Sequence, residues 1–240
     1  TFTFSANKIT GGITPWKPTS TDPIGAGHFQ FSIADGMIGK NSFNNFIVAG
    51  EYQPNRILIE KLATQFLNGS LSLSGQYQDN QWQLNDVYLT GLRWQSTKTL
   101  EELQQSLSQS PVMTIKQLNI VDFTAEGKQW AISGLAGQFS QIAWNNSLSL
   151  TSGELNTDDI VYKNQHVTDV IAKLNQQDNL FNIDNLSLRY EKGLIKLAGQ
   201  WNSETKTLNI EDATLSGILY TLPEQWLSFF AKPIEQDVKS

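Results

Sequence analysis

The side chains able to do chemistry are few and scattered. The chain of 240 residues holds two histidines and no cysteine. His28 and His166 lie far apart, neither with a partner motif beside it. A surface or strand-end role suits both, and the lack of a His-x-x-x-His spacing argues against zinc. Without cysteine there is no disulfide, thiolate metal ligand or thiol nucleophile. Gly25-Ala26-Gly27 lacks the third glycine, the preceding strand and the following helix of a phosphate cradle, so it reads as a turn. No Gly-x-Ser-x-Gly elbow occurs. The paired carboxylates are Asp158-Asp159 and Glu101-Glu102. The first pair, beside Asn156-Thr157, reads as a turn of a kind calcium can use; the second suits the first turn of a helix. Neighbouring residues on a strand face opposite ways, which is poor geometry for a two-carboxylate mechanism. These residues predict a protein that is not an enzyme and carries no metal or cofactor.

What remains is apolar surface, and its pattern fixes the elements. Apolar residues make up 39% of the chain and charged residues 17%, with 10% aromatic, too much aromatic content for disorder. The net charge is −6 and no basic run occurs, which argues against nucleic acid as a partner. No apolar stretch approaches the roughly 18 residues of a membrane span. Alternation of apolar and polar residues dominates: Phe29, Phe31 and Ile33; Leu71 and Leu73; Leu148 and Leu150; Leu186 and Leu188. Period two sends one set to each face of a sheet. Turn-like clusters lie between, at Asp35-Gly36, Gln53-Pro54-Asn55, Gln78-Asp79-Asn80, Asn145-Asn146 and Gln176 to Asn179. Their spacing of roughly 10 to 15 residues predicts antiparallel hairpins and meanders, not β-α-β units. Two stretches change period. Leu100, Leu103 and Leu107 predict a helix within 98–108, with Thr97 or Thr99 as its cap; Pro223, Trp226, Phe229 and Phe230 predict another within 222–231.

The sequence also repeats itself. Gly69 to Tyr77 (GSLSLSGQY) returns as Gly193 to Trp201 (GLIKLAGQW), and Asp86 to Trp94 (DVYLTGLRW) as Asp212 to Tyr220 (DATLSGILY). Each copy is followed by one of the two helices. The expected fold is therefore all-β and mainly antiparallel: an elongated, curved sheet of two β-meander repeats, residues 1–108 and 109–240, each ending in a short α-helix. The chain opens mid-pattern at Thr1-Phe2-Thr3-Phe4, as a segment of a longer protein would.

An open trough between such repeats would bind acyl chains. Leu71, Leu73, Tyr77 and Leu89 in the first copy, with Ile195, Leu197, Trp201 and Leu215 in the second, are the candidate lining. Two other readings use the same residues differently. A closed, dry sandwich would leave exposed β edges to dock protein partners. A carbohydrate-binding domain would need exposed platforms, which Trp82, Trp94, Trp130 and Trp144 could supply.

Three stretches carry a likeness to a known family. GGITPWKP (11–18), LTGLRWQSTKTLEEL (89–103) and DATLSGILYTLPEQW (212–226) resemble the AsmA family of Gram-negative envelope proteins. The likeness covers essentially the whole chain in order, although the family has no active-site signature. It implies a periplasmic segment of a protein tethered to the inner membrane by an N-terminal helix that has no counterpart in these residues. Larger relatives form U-shaped β channels with hydrophobic interiors, implicated in moving phospholipid towards the outer membrane. The partner so implied is phospholipid or another acyl-chain lipid, conducted passively along an apolar groove.

Overall fold

The computed structural model describes residues 3–107, 111–145, 148–177, 179–202 and 204–217. Phe4–Lys17 (β1), Ala26–Ile38 (β2), Asn41–Gln53 (β3), Arg56–Phe66 (β4), Gly69–Gln78 (β5) and Gln81–Thr90 (β6) form an antiparallel meander. The short strand Arg93–Gln95 (β7) and the helix Leu100–Leu107 (α1) lead to Met113–Gly127 (β8), which pairs with β6 in parallel. Trp130–Trp144 (β9), Leu148–Ser149 (β10), Ser152–Tyr162 (β11), Gln165–Gln177 (β12), Leu180–Tyr190 (β13), Gly193–Asn202 (β14) and Thr207–Ser216 (β15) follow. Among the described residues these fifteen strands belong to one curved sheet, in which β7 pairs only with β8 and β10 only with β9.

Local chemistry explains the turns. Asp79 and Asn80, between β5 and β6, both take positive φ (51° and 60°), the requirement of a type I′ hairpin whose twist matches its strands. Leu67 and Asn68 do the same between β4 and β5. Thr99 caps α1: its hydroxyl oxygen accepts from the Glu102 amide at 3.2 Å, and the Glu102 carboxylate accepts from the Thr99 amide at 2.8 Å. Thr99, not Thr97, is thus the cap of the expected helix.

Four expectations need correction. Asp35-Gly36 is not a turn but lies inside β2; a Cβ on Gly36 would sit 2.3 Å from the Phe43 ring, so glycine is there to make room. Asp158-Asp159 lies inside β11, where Asp159 is held by His166 across the β11–β12 pair. The alternation at Leu148 and Leu150 yields only a two-residue strand. The connections are not all antiparallel hairpins either. The segment holding β7 and α1 returns the chain to the starting end of β6, so β8 must run parallel to it. The helix expected within 222–231 lies outside the described residues.

The repeated sequences share a register. Ile59 faces Gly75 and Leu62 faces Leu73 across β4–β5; Ile183 faces Gly199 and Leu186 faces Leu197 across β13–β14. Leu71 opposite Leu89 is matched by Ile195 opposite Leu215. In both hairpins the register shifts at the same step, between Ile59 and Leu62 and between Ile183 and Leu186.

A candidate apolar binding face

Residues directly opposite in a sheet share a face, so the pairing can be followed sideways. One row runs Gly11, Phe31, Val48, Leu62, Leu73, Val87, Leu118, Phe139, Gly153, Leu174, Ile183, Gly199 and Ile210, from β1 to β15. Every member is apolar or glycine. Gly153 leaves space for a ring, since a Cβ there would lie 2.6 Å from Phe139.

Keeping the apolar residues on one side takes a repeated device. On most strands the apolar spacing stretches once from two residues to three, as from Ile59 to Leu62, Ile115 to Leu118 and Ile183 to Leu186. Several of these steps place a non-glycine residue at positive φ inside a strand: Lys8, Asn45, Asp122, Gln141 and Asp169. At Asn45, Asp122 and Asp169 the pairing to a neighbouring strand also shifts register, the mark of a bulge whose extra residue restores the phase and increases the twist; at Lys8 and Gln141 the register is kept.

All of the candidate lining residues fall on this face. Leu71, Leu73, Tyr77 and Leu89 sit on β5 and β6, and Ile195, Leu197, Trp201 and Leu215 on β14 and β15. Ile195 is 5% exposed and Leu215 41%; the others are half-buried. The two groups are not adjacent. Six strand steps separate β6 from β14, about 29 Å at about 4.8 Å per strand. The face between them is filled by residues that simple alternation misses, such as Leu118, Ile120, Phe139, Leu155 and Leu174, because the bulges break period two there. A search for apolar residues at steps of two or three would have found them.

The face is open in character. Among the described residues no second sheet lies against it and no large side chain is fully buried. The closed sandwich is therefore not the arrangement of these residues. Nor do Trp82, Trp94, Trp130 and Trp144 form exposed platforms: Trp130 is buried and the other three are half-buried.

Aromatic residues mark both ends of the face. At the end where β5 turns into β6, one row runs Tyr52, Ile57, Tyr77, Trp82, Met113 and Trp144; Phe181 and Trp201 pair at the same ends of β13 and β14. The Tyr77 and Trp82 rings are 4.9 Å apart. At the other end Trp94 lies 6.0 Å from Trp130, whose indole donates to the Lys98 carbonyl at 3.0 Å, while the Tyr162 hydroxyl donates to Glu101 at 3.0 Å. The Glu101 carboxyl is held below its ordinary range, first by its own backbone amide and then by Tyr162 and Thr99. These bonds fix α1 to the edge of the apolar face.

The opposite face is mainly polar, although Ile47, Tyr88 and Ile171 are exposed on it. Thr10 and Ser32 hydroxyls lie 2.6 Å apart, and Lys173 pairs with Glu154 at 2.9 Å. That contact, by hydrogen bond and then by charge, raises the Lys173 pKa. A depression of about 460 Å3 opens there beside Gln138, Glu154, Ile171, Lys173 and Asn185. Among the described residues no three His, Asp or Glu side chains are grouped to hold a metal. No helix among them is long and apolar enough to cross a membrane.

Such a molecule is a wide single-layer β sheet with one continuous apolar face, the patterning expected from the AsmA likeness. Among curated proteins the chain is 26% identical, over 229 residues, to the AsmA family protein YicH of Escherichia coli (strain K12). The alignment covers 92% of this chain and 40% of YicH, so the chain spans well under half of that relative. The match supports an AsmA-family relationship. No family model matches the chain, and no solved structure matches it.

Proposed function

We propose that the chain is a non-enzymatic, lipid-handling segment of an AsmA-like envelope protein, binding or conducting phospholipid along its apolar face. The observation that carries this reading is the uninterrupted apolar row from β1 to β15, with no protein layer over it among the described residues. Acyl chains laid on it leave water, gaining roughly 0.8 kcal/mol for each CH2 buried, while head groups stay solvated at a margin. A series of similar sites across successive strands lets a chain slide without a deep trap. Leu71, Leu73, Tyr77, Leu89, Ile195, Leu197, Trp201 and Leu215 contribute to that surface. The family relationship supports an envelope setting. The finer location, in the periplasm and tethered to the inner membrane, rests on the resemblance. In this reading the hairpins that share a register belong to two copies of one unit, residues 1–108 and 109–240, stacked edge to edge.

The test is native mass spectrometry with lipid extraction on protein purified from cells without detergent. Co-purified phospholipid is expected, and is expected to be lost in the Leu73→Asp, Leu197→Asp double variant with its far-UV circular dichroism unchanged. A folded protein that is lipid-free and ignores added phospholipid would overturn the reading. A second reading, a scaffold that docks envelope proteins by strand addition, draws on β1 and β15 each having a single neighbouring strand among the described residues. Lipid-free protein that captures a partner through an edge would favour it.

A further inference from the structure

The two ends of the apolar face treat their aromatic side chains differently. At the α1 end three of the polar tips are used by the protein itself, Trp130 donating to Lys98, Tyr162 to Glu101, and Tyr190 to Gln165 at 2.7 Å, while the Trp94 side chain makes no hydrogen bond among the described residues. At the opposite end the tyrosines are also satisfied, Tyr77 by Asn80 at 3.0 Å and Tyr52 by Asp22 at 3.4 Å. The tryptophans are not. The indole N–H of Trp144 is buried and has no hydrogen-bond partner; the side chains of Trp82 and Trp201 make no hydrogen bond among the described residues, although their indole nitrogens are not buried. A buried donor left unpaired costs about 1–3 kcal/mol, so such a group marks a place where an acceptor is missing.

We infer that this tryptophan end is where the polar part of a bound phospholipid sits, with its acyl chains directed over the aliphatic zone towards α1. The inference rests on the lipid reading above and adds an orientation to it. Phospholipids are rich in acceptors, the ester carbonyls and phosphate oxygens, just where chain meets head group. Tryptophan suits that boundary because its ring is apolar and its N–H seeks a partner. Trp144 Nε1 supplies the donor, while Trp82, through Met113, and Trp201, beside Phe181, extend the same chemistry along the margin. The dimensions agree. From Trp144 to Trp130 along β9 is about 45 Å at about 3.3 Å per residue. One leaflet's hydrocarbon is only about 15 Å deep, so a lipid anchored at one end does not reach the other.

The experiment is fluorine NMR on the full chain with every tryptophan replaced biosynthetically by fluorotryptophan, assigned from single Trp→Phe variants. The protein is loaded with phosphatidylcholine carrying a nitroxide either on the choline or near the end of one acyl chain. The choline label is expected to broaden the Trp82, Trp144 and Trp201 resonances several-fold more than those of Trp94 and Trp130, and the chain-end label to lose that preference. Trp144→Phe keeps the apolar bulk and removes the donor. It is expected to weaken phosphatidylcholine binding by about two- to tenfold, the worth of one net hydrogen bond, and to leave binding of a plain hydrocarbon unchanged. Bound lipid that broadens both ends equally, or the α1 end more, overturns this orientation alone. A chain that takes up neither labelled lipid overturns it together with the lipid reading.

Discussion

Ser72 and Leu73 are neighbours in the chain, yet each belongs to a row of opposite character. The row through Leu73 is apolar or glycine from β1 to β15. The row through Ser72 runs Thr10, Ser32, Ile47, Ala63, Ser72, Tyr88, Asn119, Gln138, Glu154, Lys173 and Asn185. One side-chain hydrogen bond, between Thr10 and Ser32, and one ion pair, between Lys173 and Glu154, join members of the second row; the first has only packing. Soluble antiparallel sheets usually bury one face against a second layer. Here no such layer is found among the described residues, yet bulges hold the apolar phase on strand after strand. Residues at positive φ inside strands are costly, by roughly 1–2 kcal/mol each, which makes the retained apolar face the feature to explain.

The contrast between the faces can be broken most severely at its buried points. Ile195→Asp places an unpaired carboxylate where the side chain is 5% exposed, and unfolding or a loss of several kcal/mol is expected in urea titration. Lys196→Asp, one residue along on the exposed polar face, is expected to stay within about 0.5 kcal/mol. Equal losses would mean the faces are not distinguished by burial. Next in size, Gly153→Ala forces a Cβ against Phe139 and should cost about 1–3 kcal/mol. Adding Phe139→Leu should recover part of that loss, and strict additivity would show that the ring is not what Gly153 accommodates.

Smaller effects concern the α1 end. Thr99→Ala removes the helix cap at a cost of about 1 kcal/mol. It should speed hydrogen exchange of the α1 amides while the sheet amides keep their protection. Uniform acceleration would mean that the helix and the sheet open together. The smallest effect is one of pH. The carboxyl of Glu101 has its pKa lowered in the folded protein, so its contribution is present above the ordinary carboxylate range and fades as pH falls through the lowered value. Tyr162→Phe should weaken that acid dependence of α1 protection, and an unchanged profile would remove the Tyr162–Glu101 bond from the account.

Much of this was legible in the sequence, for identifiable reasons. Ser and Leu alternate so cleanly in β5 that its apolar face is readable from residues 69–77 alone. The cap of α1 is local chemistry and was half legible, since Thr97 and Thr99 both stand before the acidic first turn. The central strands were harder because a bulge shifts the phase within one strand, as between Ile120 and Phe123, where Asp122 takes positive φ. Period-two reading loses the pattern at that point, although the pairing restores it. Asp35-Gly36 misled because Asp-Gly is a strong turn signal, whereas the glycine answers to the Phe43 ring on the neighbouring strand. No local pattern carries that information. The hydrogen-bonding difference between Trp130 and Trp144 is likewise invisible in sequence, since it depends on where the Lys98 carbonyl lies.

The most direct test of the account uses the absence of cysteine from the chain. Single substitutions Leu73→Cys and Ser72→Cys place a unique thiol on adjacent residues that face opposite ways. Each is labelled with a benzophenone maleimide and irradiated in the presence of phospholipid vesicles, and the adducts are read by mass spectrometry. The account predicts a lipid adduct from Leu73→Cys and from its counterpart Leu197→Cys, with little or none from Ser72→Cys or Lys196→Cys. Equal adducts from both faces, or adducts from the polar face alone, would contradict it.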